Sequence, residues 1–220
     1  MHNPLKPHWI VVKRILRYLK SIISHALFIQ PSTVAKLHCF SDADWASDRD
    51  DRRSVGAFCV YLGKNLISWG CKQQQTVARS STEAEYKSLA NAAAEIKWMQ
   101  SLLTDLHVQL VQPPILWCDN ISATYLTSNP LFHAHTKHIE IDFHFVRDQV
   151  LRGELRVQFV SSKDQYADAL TKPLPSTRFL LLRDSLTVRS LPFRLQGCVE
   201  DQVHEEEQVN QNSSIPAIGS

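Results

Sequence analysis

The chain has 220 residues, 44% hydrophobic and 21% charged, a composition typical of one globular domain with some additional chain. No uncharged apolar run reaches the roughly 18 residues that a membrane span needs, and the first residues lack the apolar core of a secretory signal. The five cysteines are scattered without a CxxC pair, which indicates reduced, buried thiols in an intracellular protein.

The net charge of +2 conceals an asymmetry along the chain. Residues 191–220 carry one cation and five anions, a net charge of −4, so residues 1–190 carry +6. A basic body suits a polyanionic partner such as a nucleic acid. Residues 197–220 are polar, acidic and free of aromatic side chains, and are therefore predicted to be a disordered tail.

The first predicted element is a helix over residues 8–29, where apolar residues recur at helical spacing. Lys13, Arg17 and Lys20 fall on another face of this helix. Two interpretations of these cations stay open: a solvated basic face, or a face that follows the phosphates of a nucleic acid.

Three predicted strands follow, at residues 35–41, 54–62 and 65–69, and the last two form a hairpin. A long helix is predicted from residue 81 to about 107. Then come a short buried strand at 115–118, helices at 121–127 and 137–151, and a fifth strand at 155–160. Asn120 is expected to cap the helix at 121–127. Ser162-Lys163-Asp164-Gln165 is predicted to be a capping box for a last helix that Pro173 ends.

The element order βββαβααβα predicts an α/β fold, a five-stranded mixed sheet with helices on its faces. Four acidic residues lie at or near the ends of these elements: Asp42 after the first strand, Glu85 in the first turns of the long helix, Asp119 after the strand at 115–118, and Asp168 in the last helix. A protein can build a two-metal site for phosphodiester chemistry by bringing carboxylates from different helices and strands to one place.

The long helix offers two carboxylates, and they cannot both face one site because residues two apart on a helix differ by about 200°. Glu83 falls on the face of Lys87, predicted to be in water, and completes a capping box with Ser80. Glu85 falls on the apolar face with Leu89, where an ionised carboxylate needs a partner such as a metal ion. This favours Glu85.

A similar choice arises at the end of the first strand. Asp42 follows the strand directly, where the sheet still fixes the backbone, whereas Asp44 is placed in a loop with Asp48, Asp50 and Asp51. A solvated acidic turn accounts for that loop, which favours Asp42 as the functional residue.

Longer strings make the chain resemble the polyproteins of copia-type LTR retrotransposons over almost all of residues 7–200. They are Pro7-His8-Trp9, Ser41-Asp42-Ala43-Asp44-Trp45-Ala46, Ile67-Ser68-Trp69, Val77-Ala78-Arg79-Ser80-Ser81-Thr82-Glu83-Ala84-Glu85-Tyr86, the segment 136–147, and Ala167-Asp168-Ala169-Leu170-Thr171-Lys172. The resemblance implies a ribonuclease H-like fold that cleaves the RNA strand of RNA/DNA hybrids. Unlike cellular ribonucleases H, the loop before Asp168 carries no His.

The resemblance also implies the functional residues. Asp42, Glu85, Asp119 and Asp168 would be catalytic and would hold two Mg²⁺ or Mn²⁺ ions, with Asp42 shared between them. Asn120 and Ser122, beside Asp119, are expected to contact the 2′-OH of the RNA strand. Lys13, Arg17 and Lys20 are expected to add phosphate contacts.

The same resemblance implies a domain organisation. Residues 1–32 correspond to a remnant of the reverse transcriptase thumb or connection, 33–175 to the ribonuclease H-like domain, 176–196 to a C-terminal extension and 197–220 to the tail. The residues before Ala35 are too few to form the fingers and palm of a polymerase. We therefore expect this chain to be a C-terminal fragment of a longer polyprotein. Its expected partners are an RNA/DNA hybrid and upstream reverse transcriptase domains, and no association with a membrane is expected. We expect the protein to be intracellular, either in cytoplasmic virus-like particles or in the nucleus.

Two other functions stay open. One is a catalytically silent truncated or co-opted fragment that binds nucleic acid or acts as a scaffold, although the complete carboxylate set argues against decay. The other is a different nuclease of the same fold, such as an integrase or resolvase, which the strings outside the acidic set disfavour.

Overall fold

The computed structural model describes residue 3 and residues 5–128 and 137–191. By its internal contacts the chain divides into two compact units, Ala26–Arg189 and Met1–His25 with Ser190–Ser220. In chain order the elements are α1 (Lys6–Ile22), β1 (His25–Leu27), β2 (Leu37–Asp44), β3 (Val55–Leu62), β4 (Asn65–Gln73), α2 (Ser81–Asp105), β5 (Ile115–Cys118), α3 (Ile121–Ser128), α4 (Lys137–Leu151), β6 (Arg156–Phe159), α5 (Asp168–Thr171), α6 (Ser176–Ser185) and β7 (Val188–Ser190).

The larger unit is built on a five-stranded sheet with the order β4-β3-β2-β5-β6. β3 runs antiparallel to β2 and to β4, whereas β5 runs parallel to β2 and to β6. The parallel pairs need crossover connections. In the chain, α2 lies between β4 and β5, and α3 and α4 lie between β5 and β6, and all three helices contribute to one hydrophobic core. This confirms the predicted α/β class and five-stranded mixed sheet, the architecture that the ribonuclease H resemblance implies.

β2 lies at the centre of the sheet and is covered on both faces. Leu37 and Cys39 belong to the main hydrophobic core with Leu89 and Ile96 of α2. Phe40 points to the opposite face, into an aromatic cluster that includes Tyr61 and Tyr166. A strand buried on both faces has little freedom to shift, so the residues at its end are held in fixed positions.

The N-terminal helix differs from its prediction. α1 ends at Ile22, not near residue 29, and residues 25–27 form β1, which pairs with β7 near the other end of the described chain. The backbone N–H of Phe28 donates to the Thr187 carbonyl at 2.9 Å. Helical spacing in the sequence was a wrong guide here, because a partner strand far along the chain satisfies this backbone instead.

The predicted capping box at residues 162–165 is also wrong. Residues Ser162–Asp164 form a single 3₁₀ turn, and the last predicted helix is the short α5, which begins at Asp168. The side chains of Ser162 and Gln165 make bonds to distant residues, described below, which a local cap cannot match.

Two strands are longer than predicted: β2 extends to Asp44 and β4 to Gln73. The sequence did not predict α6 or β7. The predicted disordered tail lies outside the described residues. Within the described part of the chain, no helix is long and apolar enough to cross a membrane.

Candidate metal centre

β2 places Asp42 at the heart of the site. The residue lies inside the strand, not after it, opposite Ala57 of β3, and is 0% exposed. Its backbone is tied to α2, since the Ser88 hydroxyl donates to the Asp42 carbonyl at 2.8 Å. A Cβ on Gly56 would lie 3.0 Å from the Ser88 oxygen, so the glycine lets α2 approach the sheet closely.

α2 begins with the cap that the sequence predicts. The Ser80 hydroxyl accepts from the Glu83 backbone N–H at 3.1 Å. The Glu83 carboxylate, however, accepts from the Arg79 N–H at 2.8 Å rather than from Ser80, and pairs with Lys87 at 2.8 Å. Both partners are buried, so the prediction that this face lies in water is wrong for the first turns of α2, although Lys97 and Ser101 further along the same face are exposed. Thr76 takes part by accepting from the Lys87 ammonium at 2.9 Å.

Glu85 has a different environment from Glu83. It is also buried, but among the described residues its Oε2 atom has no hydrogen-bond partner. A buried acceptor without a partner is costly, and a bound cation is one way to satisfy it. The contrast between the two carboxylates supports the choice of Glu85, although on different grounds from those in the sequence.

Asp119 follows β5 and is half-buried. Its Oδ2 accepts from the Ser162 hydroxyl at 3.1 Å, and its Oδ1 from the Gln165 amide at 3.4 Å. Gln165 is itself fully buried and donates to the Ser41 carbonyl at 2.9 Å. The turn before α5 therefore orients Asp119 and ties it to β2.

Asp168 opens α5 and is buried, not on the surface as a lone helical Asp usually is. Its Oδ1 lies 2.6 Å from the Lys172 ammonium, which also lies 3.0 Å from Asp42 Oδ1. Thr171 donates its hydroxyl to Asp42 Oδ2. Burial disfavours the charge on Lys172, but the bonds to Asp168 and Asp42 outweigh burial and raise its pKa.

The four predicted acidic residues are thus brought together, and they form two overlapping groups. The ligand atoms of Glu85, Cys118 and Asp119 lie within 4.8 Å of one another, and so do those of Asp42, Asp119 and Asp168. Asp119 is common to both groups. Asp44, the alternative to Asp42, belongs to neither of these groups.

Burial and mutual repulsion oppose the simultaneous ionisation of the carboxyl groups in the cluster. Burial raises the pKa of Glu85 to about 9, with further contributions from the negative charges of Asp42 and Asp119. Burial likewise raises the pKa of Asp42, against the lowering effects of Thr171 and Lys172. Carboxylates this close repel one another, so an added cation would be bound together with their ionisation.

The donor atoms indicate the kind of ion. Burial, reinforced by Glu85, raises the pKa of the Cys118 thiol far above its usual range, so Cys118 stays protonated and is a poor ligand. The remaining donors are carboxylate oxygens, which suit Mg²⁺ or Mn²⁺ better than Zn²⁺. The residues present therefore fit the ions that the sequence resemblance implies.

The other predicted site residues are those expected to bind the nucleic acid rather than the metal ions. Asn120 caps α3, since its side-chain oxygen accepts from the Ala123 N–H at 2.9 Å, and Ser122 is exposed. Lys13, Arg17 and Lys20 are exposed on α1, in the other unit.

Several residues at the site were not predicted from the sequence. Ser88 lies one turn after Glu85, which is a signal that could have found it. Ser162 and Gln165 were predicted to belong to a helix cap. Thr171 and Lys172 belong to a string that carries the family resemblance, but no function was predicted for them.

Comparison with known proteins places the chain in a family. It is 50% identical over 192 residues to the retrovirus-related Pol polyprotein from transposon RE1 of Arabidopsis thaliana, which covers 87% of this chain and 13% of that protein. The corresponding polyprotein from transposon TNT 1-94 of Nicotiana tabacum is 35% identical over 190 residues, 86% of this chain and 14% of that protein. The chain belongs to the retrovirus-related Pol polyprotein family. The resemblance to retrotransposon polyproteins is confirmed, and the chain spans about an eighth of the length of these curated relatives.

No family model matches the chain. Among solved structures, LC11-RNase H1, isolated from compost, is similar with a TM-score of 0.49 and 13% identity, over 63% of this chain and 94% of that one.

Proposed function

We propose that this Pol segment is a metal-dependent ribonuclease H that cleaves the RNA strand of RNA/DNA hybrids during reverse transcription. The observation that carries the proposal is the convergence of Asp42, Glu85, Asp119 and Asp168 from four separate elements on one cluster of oxygen donors. Membership of a family of retrotransposon polyproteins supports the choice of substrate, because copying RNA into DNA produces such hybrids.

These four carboxylates would hold two Mg²⁺ ions. Bound there, the ions would offset charge on the scissile phosphate and lower the pKa of the attacking water. The chain contributes position: Ser88 fixes the backbone of Asp42, while Ser162 and Gln165 orient Asp119. A site held this firmly binds the transition state without first reorganising.

Recognition of the RNA strand is proposed to involve Asn120 and Ser122, next to Asp119. The Asn120 carbonyl already caps α3, so its NH₂ group remains to donate to a 2′-OH, and the exposed Ser122 hydroxyl can donate or accept. Upstream reverse transcriptase domains and an intracellular location, cytoplasmic or nuclear, remain predictions.

The test is a cleavage assay with the full chain and a hybrid labelled on its RNA strand. We expect products with 5′-phosphate and 3′-hydroxyl ends in Mg²⁺ or Mn²⁺, none in EDTA, and none from Asp119→Asn. A folded wild-type protein that yields no product with either metal would favour the catalytically silent alternative.

A further inference from the structure

One side chain already places a positive charge inside the acidic cluster. The Lys172 ammonium lies between two of its carboxylates, 3.0 Å from Asp42 Oδ1 and 2.6 Å from Asp168 Oδ1. Both distances are those of charge-assisted hydrogen bonds. Asp42 and Asp168 belong to the same group of potential ligand atoms.

Within the described part of the chain, no salt bridge places such a cation on the rest of the cluster. The other group, which Asp119 shares, contains Glu85, and the Oε2 atom of Glu85 lacks a hydrogen-bond partner among the described residues. The two groups therefore differ: one contains an unsatisfied buried oxygen, whereas two carboxylates of the other already share an ammonium of the same chain.

The three residues differ in their exposure to solvent. The Asp42 side chain is 0% exposed and that of Asp168 is 9% exposed, but 35% of the Lys172 side chain is exposed. Asp42 also sits inside a central strand, whereas lysine has a flexible four-carbon stem. Lys172 can therefore turn out into solvent while the two carboxylates keep their positions.

We propose that the Lys172 ammonium occupies the second cation position of the centre, so that the free protein binds one divalent ion tightly and a second only when Lys172 leaves. Lys172 is then a positioning residue that holds Asp42 and Asp168 together before the centre is fully loaded. The inference rests on the proposed function, because it assumes that the centre binds divalent ions.

The test is to count Mn²⁺ ions bound to the full chain, by calorimetry and by the electron paramagnetic resonance of free Mn²⁺. Three proteins are compared: wild type, Lys172→Met, which removes the ammonium, and Lys172→Arg, which keeps a cation. Thr171→Val is the matched control, since it removes the other side-chain partner of Asp42 without removing a charge.

We expect one tight site in the wild type, in Lys172→Arg and in Thr171→Val. Lys172→Met should bind a second ion at least about tenfold more tightly than the wild type does, since that ion no longer displaces a charged hydrogen-bonding group. Mn²⁺ should also raise the melting temperature of Lys172→Met more than that of the wild type, because the ion replaces the missing ammonium. Should the Met variant not fold even with Mn²⁺, Lys172→Gln provides the same comparison with an uncharged polar group.

Two results would overturn the inference, and they are distinguishable. If the wild type and Lys172→Met bind two ions with the same affinities, Lys172 does not compete, while the proposed function stands. If neither protein binds an ion and Asp42→Asn changes nothing, the metal centre and the inference fail together.

Discussion

At the residue scale, the informative comparison is between two glutamates in the first turns of one helix. Glu83 and Glu85 are about equally buried, so burial does not distinguish them. Their partners do: Glu83 is paired with Lys87 and a backbone N–H, whereas an oxygen of Glu85 is unsatisfied. The sequence favoured Glu85 because Glu83 was predicted to lie in water. Glu83 is in fact buried, and it stabilises the fold through its ion pair with Lys87.

The raised pKa of Glu85 predicts how stability depends on pH without metal. Its pKa of about 9 in the folded protein exceeds the value in the unfolded chain, so between these values the folded state binds more protons. Stability should therefore fall as the pH rises from about 5 to about 9. Glu85→Gln removes this proton uptake, and at pH 8 in EDTA it should be more stable than the wild type by on the order of 1–3 kcal/mol.

Urea unfolding of both proteins at several pH values measures this difference. The gain should shrink as the pH falls and vanish below about pH 4, where the wild-type carboxyl becomes neutral in the unfolded chain as well as in the folded protein. Mg²⁺ should also reduce the gain, because the ion stabilises the ionised form. Parallel pH profiles of the two proteins would show that Glu85 does not have a raised pKa.

At the element scale, the sequence predicted those parts of the fold that local pattern determines. Alternating or continuous apolar runs located β2, β3, β5 and β6, and the long apolar periodicity of α2 located that helix to within two residues at its end. The elements that the sequence missed are the helix α6 and the strands β1 and β7, which have three residues each and pair with each other. No local pattern encodes such a partner.

The site divides in the same way. The four carboxylates could be chosen because each lies in a distinctive string and at an element end. The roles of Lys172 and Gln165 could not, since they depend on contacts with Asp42 and Ser41, which lie 130 and 124 residues away along the chain. The turn at Ser162–Asp164 looked like a helix cap because its residues are those of a cap, but the Ser162 side chain bonds to Asp119 of the acidic cluster instead.

At the scale of the whole molecule, α1 lies in a different compact unit from the acidic cluster and has no buried residue. Its cations Lys13, Arg17 and Lys20 lie at spacings of four and three residues, on one side of the helix. We propose that they contact the phosphates of the hybrid, consistent with the positive charge of residues 1–190.

Changing Lys13, Arg17 and Lys20 together to Ala tests this role without altering the apolar residues of α1. The affinity for hybrid should fall, and the slope of its log–log salt dependence should decrease by roughly one unit for each phosphate that the helix no longer neutralises. The cleavage rate at saturating hybrid should stay near the wild-type value, because no carboxylate is removed. An unchanged affinity and salt slope would show that this helix does not bind nucleic acid.

We propose that Glu85 and the three aspartates form the catalytic centre for hybrid cleavage. Comparing RNA cleavage by Glu85→Gln and Glu83→Gln is the sharpest test of this assignment. Each change replaces a buried glutamate of α2 by its amide of the same size, but only Glu85 is assigned to the metal centre. In Mg²⁺, folded Glu85→Gln should give no cleavage of the RNA strand. Glu83→Gln should keep the wild-type rate while its stability falls by roughly 2 kcal/mol or more, because Lys87 is left without its buried partner. Loss of cleavage in folded Glu83→Gln together with wild-type cleavage by Glu85→Gln would contradict the account.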